Sequence, residues 1–310
     1  MIKLKTGTSQ GPISHKVITS IKKQLSRKVI HLSEFRSGKI LAEQLEQTVI
    51  SNEKFSQYDP LHAIYLYAQN KLAVLMEQTS ELPALRKLEN AYFEAEERYM
   101  PSGPPMSPLT RSYFTCWGSF DLNVGIKKET FGSVIIDLCK ALDSDPDLIQ
   151  VFEAMQHSRM GIYIHEGHSN NHIYLRELVT GRKIECLSPA GYLGIPDEIW
   201  YVRVLPEPLR KGQFGYSLIF NTPYVLAENH EGEIYPASEK NWLDYFERSF
   251  DKMNISDRNE AYENLMKYGF DRYYWNEFIF EGYVNHTQEM VLLAGFPDMP
   301  ASRPHSSLNQ

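Results

Sequence analysis

The stretch GIYIHEGHSNNHIYLRELVTG, residues 161–181, gathers His165, Glu166, His168 and His172 into eight positions. Imidazole nitrogens ligate divalent metals, and a neighbouring carboxylate can activate a metal-bound water. A zinc protease does this with HExxH, because residues i and i+4 share one helical face. Here the spacing is His165-Glu166-Gly167-His168, and the flanking residues alternate apolar and polar as in a strand. Residues three apart on a strand face opposite sides, so His165, His168 and His172 converge only if the turn at Ser169-Asn170-Asn171 folds them together. The spacing therefore favours the polar tip of a small β-meander. A divalent-metal site on the three histidines, serving a hydrolase or nuclease, is the alternative, and no other cofactor is implied.

Other nucleophile and acid–base patterns are sparse. Cys116, in FTCWGSF, needs a histidine packed beside it to act as a nucleophile. A cysteine among aromatics reads more simply as a small buried hydrophobe. Glu277 and Glu281 are four apart in DRYYWNEFIFEGYV. As a helix this run pairs them on one face, where a solvated surface opposite Trp275, Phe278 and Ile279 is the simpler reading. The chain contains no GxxxxGK[ST] or GxGxxG. That argues against P-loop hydrolysis and Rossmann dinucleotide binding.

The elements that must position these groups change character near Met160. Before it the apolar period is 3.6; after it GIYIH, HIYLREL, RKIECL, IWYVRVLP and YSLIFNTPYVL have the composition and period of strands. Five short strands with tight turns imply a small antiparallel β-barrel of SH3-like or OB-like type within an otherwise mainly helical α+β protein. Such barrels bind nucleic acid or peptides with exposed aromatics beside basic residues. If Ile173 and Leu175 face inward, Tyr174 and Arg176 face outward, and Tyr201 with Arg203 repeats the pair on the fourth strand. Ile173, Leu175, Ile184, Val202, Val204 and Ile219 should then share one core.

Charge marks a second candidate. The first forty residues hold nine Lys or Arg against Glu34 alone, a net +8, which leaves −15 for the rest of a chain whose total is −7. Ile18, Ile21, Leu25, Val29 and Leu32 form one helical stripe, with Lys22, Lys23, Arg27 and Lys28 mostly off it. A basic amphipathic arm suits a nucleic acid, an anionic membrane or an acidic protein partner, and it equally suits the chain's own acidic surface.

These signals divide the chain into a loose start (1–14), the basic helix with a helical unit (15–99) and a proline-rich linker (100–110). A helical segment (111–160), the barrel (161–226), C-terminal helices (227–295) and a loose tail (296–310) follow. Asp59-Pro60 and Asp145-Pro146 mark helix starts. Three widely spaced cysteines without CxxC imply reduced thiols, no stretch is apolar enough to span a bilayer, and MIKLKTGTSQ lacks a secretory core. A cytoplasmic location follows as the expectation.

YLRELVTGRKIECLSPAGYLGIPDEIWYVRVLP resembles a stretch of uncharacterised bacterial proteins in which an L-R-[DE]-L-x-T-G turn precedes a second strand and R-[VL]-L-P ends a later one. SPLTRSYFTCW, residues 107–117, gives the same resemblance. It implies a bacterial origin and the small barrel, and it brings no activity to any residue. The residues thus point first to a binding or regulatory protein acting through the arm and the barrel face. An inhibitor or immunity protein would suit the acidic body but has no residue of its own to support it.

Overall fold

The computed structural model describes residues 10–27, 57–99, 108–208, 213–230 and 233–269, and the strands at 280–286 and 291–295. The chain divides into two compact units: residues 1–98, 115–157 and 206–215 form one, and 99–114, 158–205 and 216–310 the other. The first is helical among its described residues, and the second is built on the barrel.

In the helical unit α1 (Pro12–Arg27) is anchored by a side chain distant in sequence. The buried Glu129 carboxylate accepts the N–H groups of Ile13 (3.0 and 3.1 Å) and Ser14 (2.9 Å). These donors have no intrahelical partner, and a carboxylate there also opposes the positive end of the helix dipole. α2 (Pro60–Ser80) starts where the sequence marked it. Asp59 Oδ1 accepts from Leu61 (2.9 Å) and His62 (3.2 Å), with Pro60 at the first helical position. Its buried stripe is Leu61, Tyr65, Ala68 and Leu72. α3 (Arg86–Tyr99) buries Leu88, Ala91 and Ala95. α5 (Phe131–Ala141) opens on a reciprocal Thr130–Ser133 capping box and buries Val134, Ile135 and Leu138. α6 (Pro146–His157) buries Val151, Phe152 and Met155. The aromatic run SYFTCWGSF is helical within α4 (Pro108–Phe120), which begins in the barrel unit and ends in the helical one.

The barrel comprises β1 (Arg159–Ser169), β2 (His172–Glu177), β3 (Lys183–Leu187), β4 (Ile199–Leu205) and β5 (Ser217–Ile219). The order β1-β2-β3-β5-β4 closes through β4 on β1, with Ile164 opposite Ile199 and Gly161 opposite Val202. Four of these pairings are antiparallel as expected, whereas β3 and β5 run parallel, Cys186 beside Ser217. That parallel contact makes the sheet a Greek key, the connectivity of OB-like rather than SH3-like barrels. The turns follow from residue type. Asn170 adopts φ 54° in the two-residue loop between β1 and β2, and Gly181 adopts φ 68° between β2 and β3, a left-handed conformation that costs glycine nothing. Ile173, Leu175, Val202, Val204 and Ile219 are buried together with Cys186, while Ile184 is half-buried.

Beyond β5 the chain bends at Asn221-Thr222-Pro223 and continues along β4 as β6 (Tyr224–His230), two residues out of register with the first pairing. β6 also pairs with β7 (Glu233–Pro236) and β9 (Val291–Gly295), and β9 with β8 (Phe280–His286). The run expected as a terminal helix is therefore strand from Phe280, and Glu281 sits on β8; Glu277 lies outside the described residues. α7 (Glu239–Phe250) and α8 (Arg258–Tyr268) fall where the sequence placed helices, with Trp242, Phe246, Tyr262 and Leu265 buried.

α8 packs on β1 through a buried ionic cluster. Arg159 lies 2.9 Å from Glu177, both essentially inaccessible, and its guanidinium also binds Glu263 and sits over the Tyr262 ring. Thr180 donates to Glu177 at 2.6 Å, and the Tyr262 hydroxyl accepts the Ile162 N–H at 3.0 Å. Burial works against the charge on Arg159, yet the Glu263 hydrogen bonds and nearby Tyr163, Tyr262 and Glu177 outweigh it and hold its pKa above the usual guanidinium value. Among the described residues no helix is long and apolar enough to cross a membrane.

Candidate ligand-binding face of the barrel

The outward face of β2 is fixed by what lies behind it. Ile173, Leu175 and Glu177 are inaccessible, which leaves His172, Tyr174 and Arg176 on the other side. Cross-strand register sets Tyr174 between Gly167 and Glu185, and Arg176 between Ile164 and Lys183. Glu166 is the extra residue of a bulge between His165 and Gly167, which points its carboxylate over this face. It accepts from Arg176 Nε at 3.1 Å and Lys183 Nζ at 2.9 Å. The Lys183 hydrogen bond is the main reason its pKa lies below the ordinary carboxylate value. Arg176 also reaches Glu239 at 3.4 and 3.5 Å. His172 Nδ1 meets Glu185 at 2.7 Å, and its ring packs edge-on against Tyr216, centroids 4.8 Å apart. Tyr174 keeps 39% of its surface exposed. The face thus carries aromatic rings, two cations and carboxylates that balance them.

Of the three histidines of the candidate metal site, His165 and His168 lie edge-to-face with ring centroids 6.4 Å apart, while His172 turns to Glu185 and Tyr216. His165 is buried, with its ring 4.9 Å from that of Trp200. Its Nδ1 accepts the Gly167 N–H (3.2 Å), so the ring proton lies on Nε2 and is donated to the Leu193 carbonyl at 2.8 Å. Burial is the largest influence on this imidazole and holds its pKa below the usual value. With both nitrogens occupied, His165 cannot ligate a metal without giving up a hydrogen bond. His168 is exposed at the hairpin tip and His172 is engaged by Glu185. Among the described residues no group of three or more His, Cys, Asp or Glu is placed to hold a metal ion.

The pairing expected on β4 also fails. Tyr201 and Arg203 are buried, because β4 is covered on both sides. Tyr201 stacks on Tyr224 (centroids 6.1 Å, 20°), which in turn packs against Tyr113 of α4. Arg203 donates from Nε to Ser158 Oγ at 2.9 Å and from Nη2 to the Ser158 carbonyl at 2.7 Å. Tyr174 and Arg176 alone of the four barrel residues remain on an accessible face. No family model, curated protein or solved structure matches the chain.

A polar cluster in the β3–β4 loop had no signal in the sequence. Glu198 accepts from the Tyr192 hydroxyl (2.9 and 3.0 Å), Trp200 Nε1 (2.8 Å) and the Ile195 N–H (3.3 Å). Gly194, at φ 65°, is required here, since a Cβ would stand 2.3 Å from the Trp200 ring. The loop clamps β1 through His165 N–H to the Glu198 carbonyl and Asp197 N–H to the His165 carbonyl, both 2.9 Å. Its role is to hold the base of the hairpin that carries the face.

Elsewhere, Cys116, Cys139 and Cys186 are free and buried, and burial pushes the Cys186 thiol well up, the opposite of an activated nucleophile. On α1 Lys22 and Lys23 are exposed, Arg27 closes the helix, and Lys28 lies outside the described residues. Ile13, Val17 and Ile18 are the buried apolar positions among the described residues of α1, and Leu25 of the expected stripe is 60% exposed.

Proposed function

We propose that the protein is a binding protein that takes a single-stranded nucleic acid on the β2–β3 face of its barrel. The observation that carries this reading is the outward presentation of Tyr174 between His172 and Arg176 on a strand whose opposite side is fully buried. OB-like barrels bind extended ligands across this surface. A base stacked on an exposed aromatic contributes about 1–3 kcal/mol, with little regard to sequence. Arg176 and Lys183 are placed to exchange Glu166 and Glu239 for phosphate oxygens. That exchange keeps the net charge dependence small, because each cation already has a carboxylate partner. An acidic protein would engage the two cations without needing Tyr174. Titration of fluorescent single-stranded oligonucleotides with the parent protein and Tyr174→Ala separates the two, since only stacking is lost in that variant.

A further inference from the structure

A second surface, in the helical unit, has a different chemistry. Val124 and Glu129 pair as a β-bridge, their N–H and carbonyl groups exchanging bonds of 2.9 and 3.1 Å, and Lys128 N–H closes on the Gly125 carbonyl at 3.1 Å. The four residues between, Gly125-Ile126-Lys127-Lys128, form a tight projecting turn, and its base is pinned because Glu129 also holds the start of α1. Gly125 (φ 74°) and Lys128 (φ 49°) are left-handed, a conformation unfavourable for lysine. At the apex Ile126 is 102% exposed, as much as in an isolated chain. Around it are Lys127 and Lys128, both exposed, and Lys87, whose ammonium lies 3.9 Å from where a Cβ on Gly125 would stand. α1 repeats the pattern in the same unit, with Leu25 60% exposed near Lys22 and Lys23.

We infer that the Ile126 turn docks this unit on an anionic lipid surface, the isoleucine entering the headgroup boundary and the lysines facing acidic headgroups. A protein interface needs a contiguous patch of roughly 800 Å² per partner, which one projecting side chain does not provide. A lipid surface moulds around an isolated apolar side chain, and each lysine near it adds electrostatic attraction. The rigid turn suits this, because the apolar tip is presented without an ordering cost on binding.

The test is co-sedimentation of the full chain with phosphatidylcholine vesicles made with and without phosphatidylserine, at low and raised salt. Binding to the phosphatidylserine vesicles alone, weakening with salt, is expected. Ile126→Asp should lower it about tenfold or more, the weight of one aliphatic side chain removed from water. Lys127→Glu with Lys128→Glu should lower it further, and Ile126→Asp should leave the melting temperature unchanged. Failure of the parent protein to bind, or Ile126→Asp binding as well as the parent, overturns the inference. Loss on charge reversal with no effect of Ile126→Asp also overturns it, since the apolar tip would then play no part.

Discussion

Replacing Arg159 by Met keeps most of the aliphatic stem but removes the guanidinium that faces Glu177 at 2.9 Å. The side chains are 5% and 0% exposed, so water cannot take the place of the lost charge. Glu177 keeps the Thr180 hydroxyl at 2.6 Å and the largely exposed Arg182 at 3.7 Å, too little to compensate a carboxylate in this site. Breaking a buried pair by removing one partner costs about 3–5 kcal/mol. At about 2–4 °C per kcal/mol for a unit of this size, the melting temperature of the barrel unit should fall by about 6–20 °C. Glu263, half-exposed, is the internal control: Glu263→Gln should cost about 1 kcal/mol or less. Combining Arg159→Met with Glu177→Gln should recover a large part of the loss, because no buried charge is then left unpaired. Urea unfolding followed by tryptophan fluorescence measures all four proteins. An Arg159→Met cost below about 1 kcal/mol, or an equal cost for Glu263→Gln, would refute the assignment of a buried pair at the core of this unit.

Further outcomes follow from the same structure. Leu175→Ala, at an inaccessible position inside the barrel, should lower stability by about 2–5 kcal/mol in denaturant titrations. His165 titrates below its unfolded value of about 6.5, so the unfolded chain takes up a proton that the folded chain refuses. Its contribution is present above about pH 6.5 and is lost as pH falls towards the folded value, by at most about 1.4 kcal/mol per pH unit. The acid limb of the stability curve should be shallower in His165→Gln than in the parent, and identical limbs would count against a buried neutral imidazole. Glu129→Gln should loosen the start of α1, seen as faster amide exchange at Ile13 and Ser14 with exchange in α6 unchanged.

Much of the barrel was legible because its strands obey two rules at once. HIYLRE alternates cleanly, and Asn170-Asn171 and Thr180-Gly181 are residues that hairpin turns select. The β2 assignment, and with it Tyr174 and Arg176, came directly from that alternation. β4 departs from the expected alternation of IWYVRVL. It is a nearly continuous apolar run, the pattern of a strand covered on both faces, and Tyr201 and Arg203 are accordingly inside. The bulge sets His165 and His168 opposite the inward-facing Leu175 and Ile173, with ring centroids 6.4 Å apart, while His172 lies on the other face, and no residue pattern announces where a bulge falls. Bulky apolar residues over FIFEGYV fit a helix face as well as a strand, so the β8 pairing depends on a partner, β9, supplied from later in the chain. A single apolar residue in a loop is ordinary in sequence, and only its exposure distinguishes Ile126.

The central claim is that Tyr174 forms a stacking platform, and fluorescence anisotropy of labelled single-stranded oligonucleotides tests it most directly. The account predicts saturable binding that Tyr174→Ala weakens by about 1–3 kcal/mol. The logarithmic salt slope should be only about −1 to −2, the release expected when Arg176 and Lys183 each meet a phosphate. Absence of binding at low salt, or binding that Tyr174→Ala leaves untouched, would contradict it.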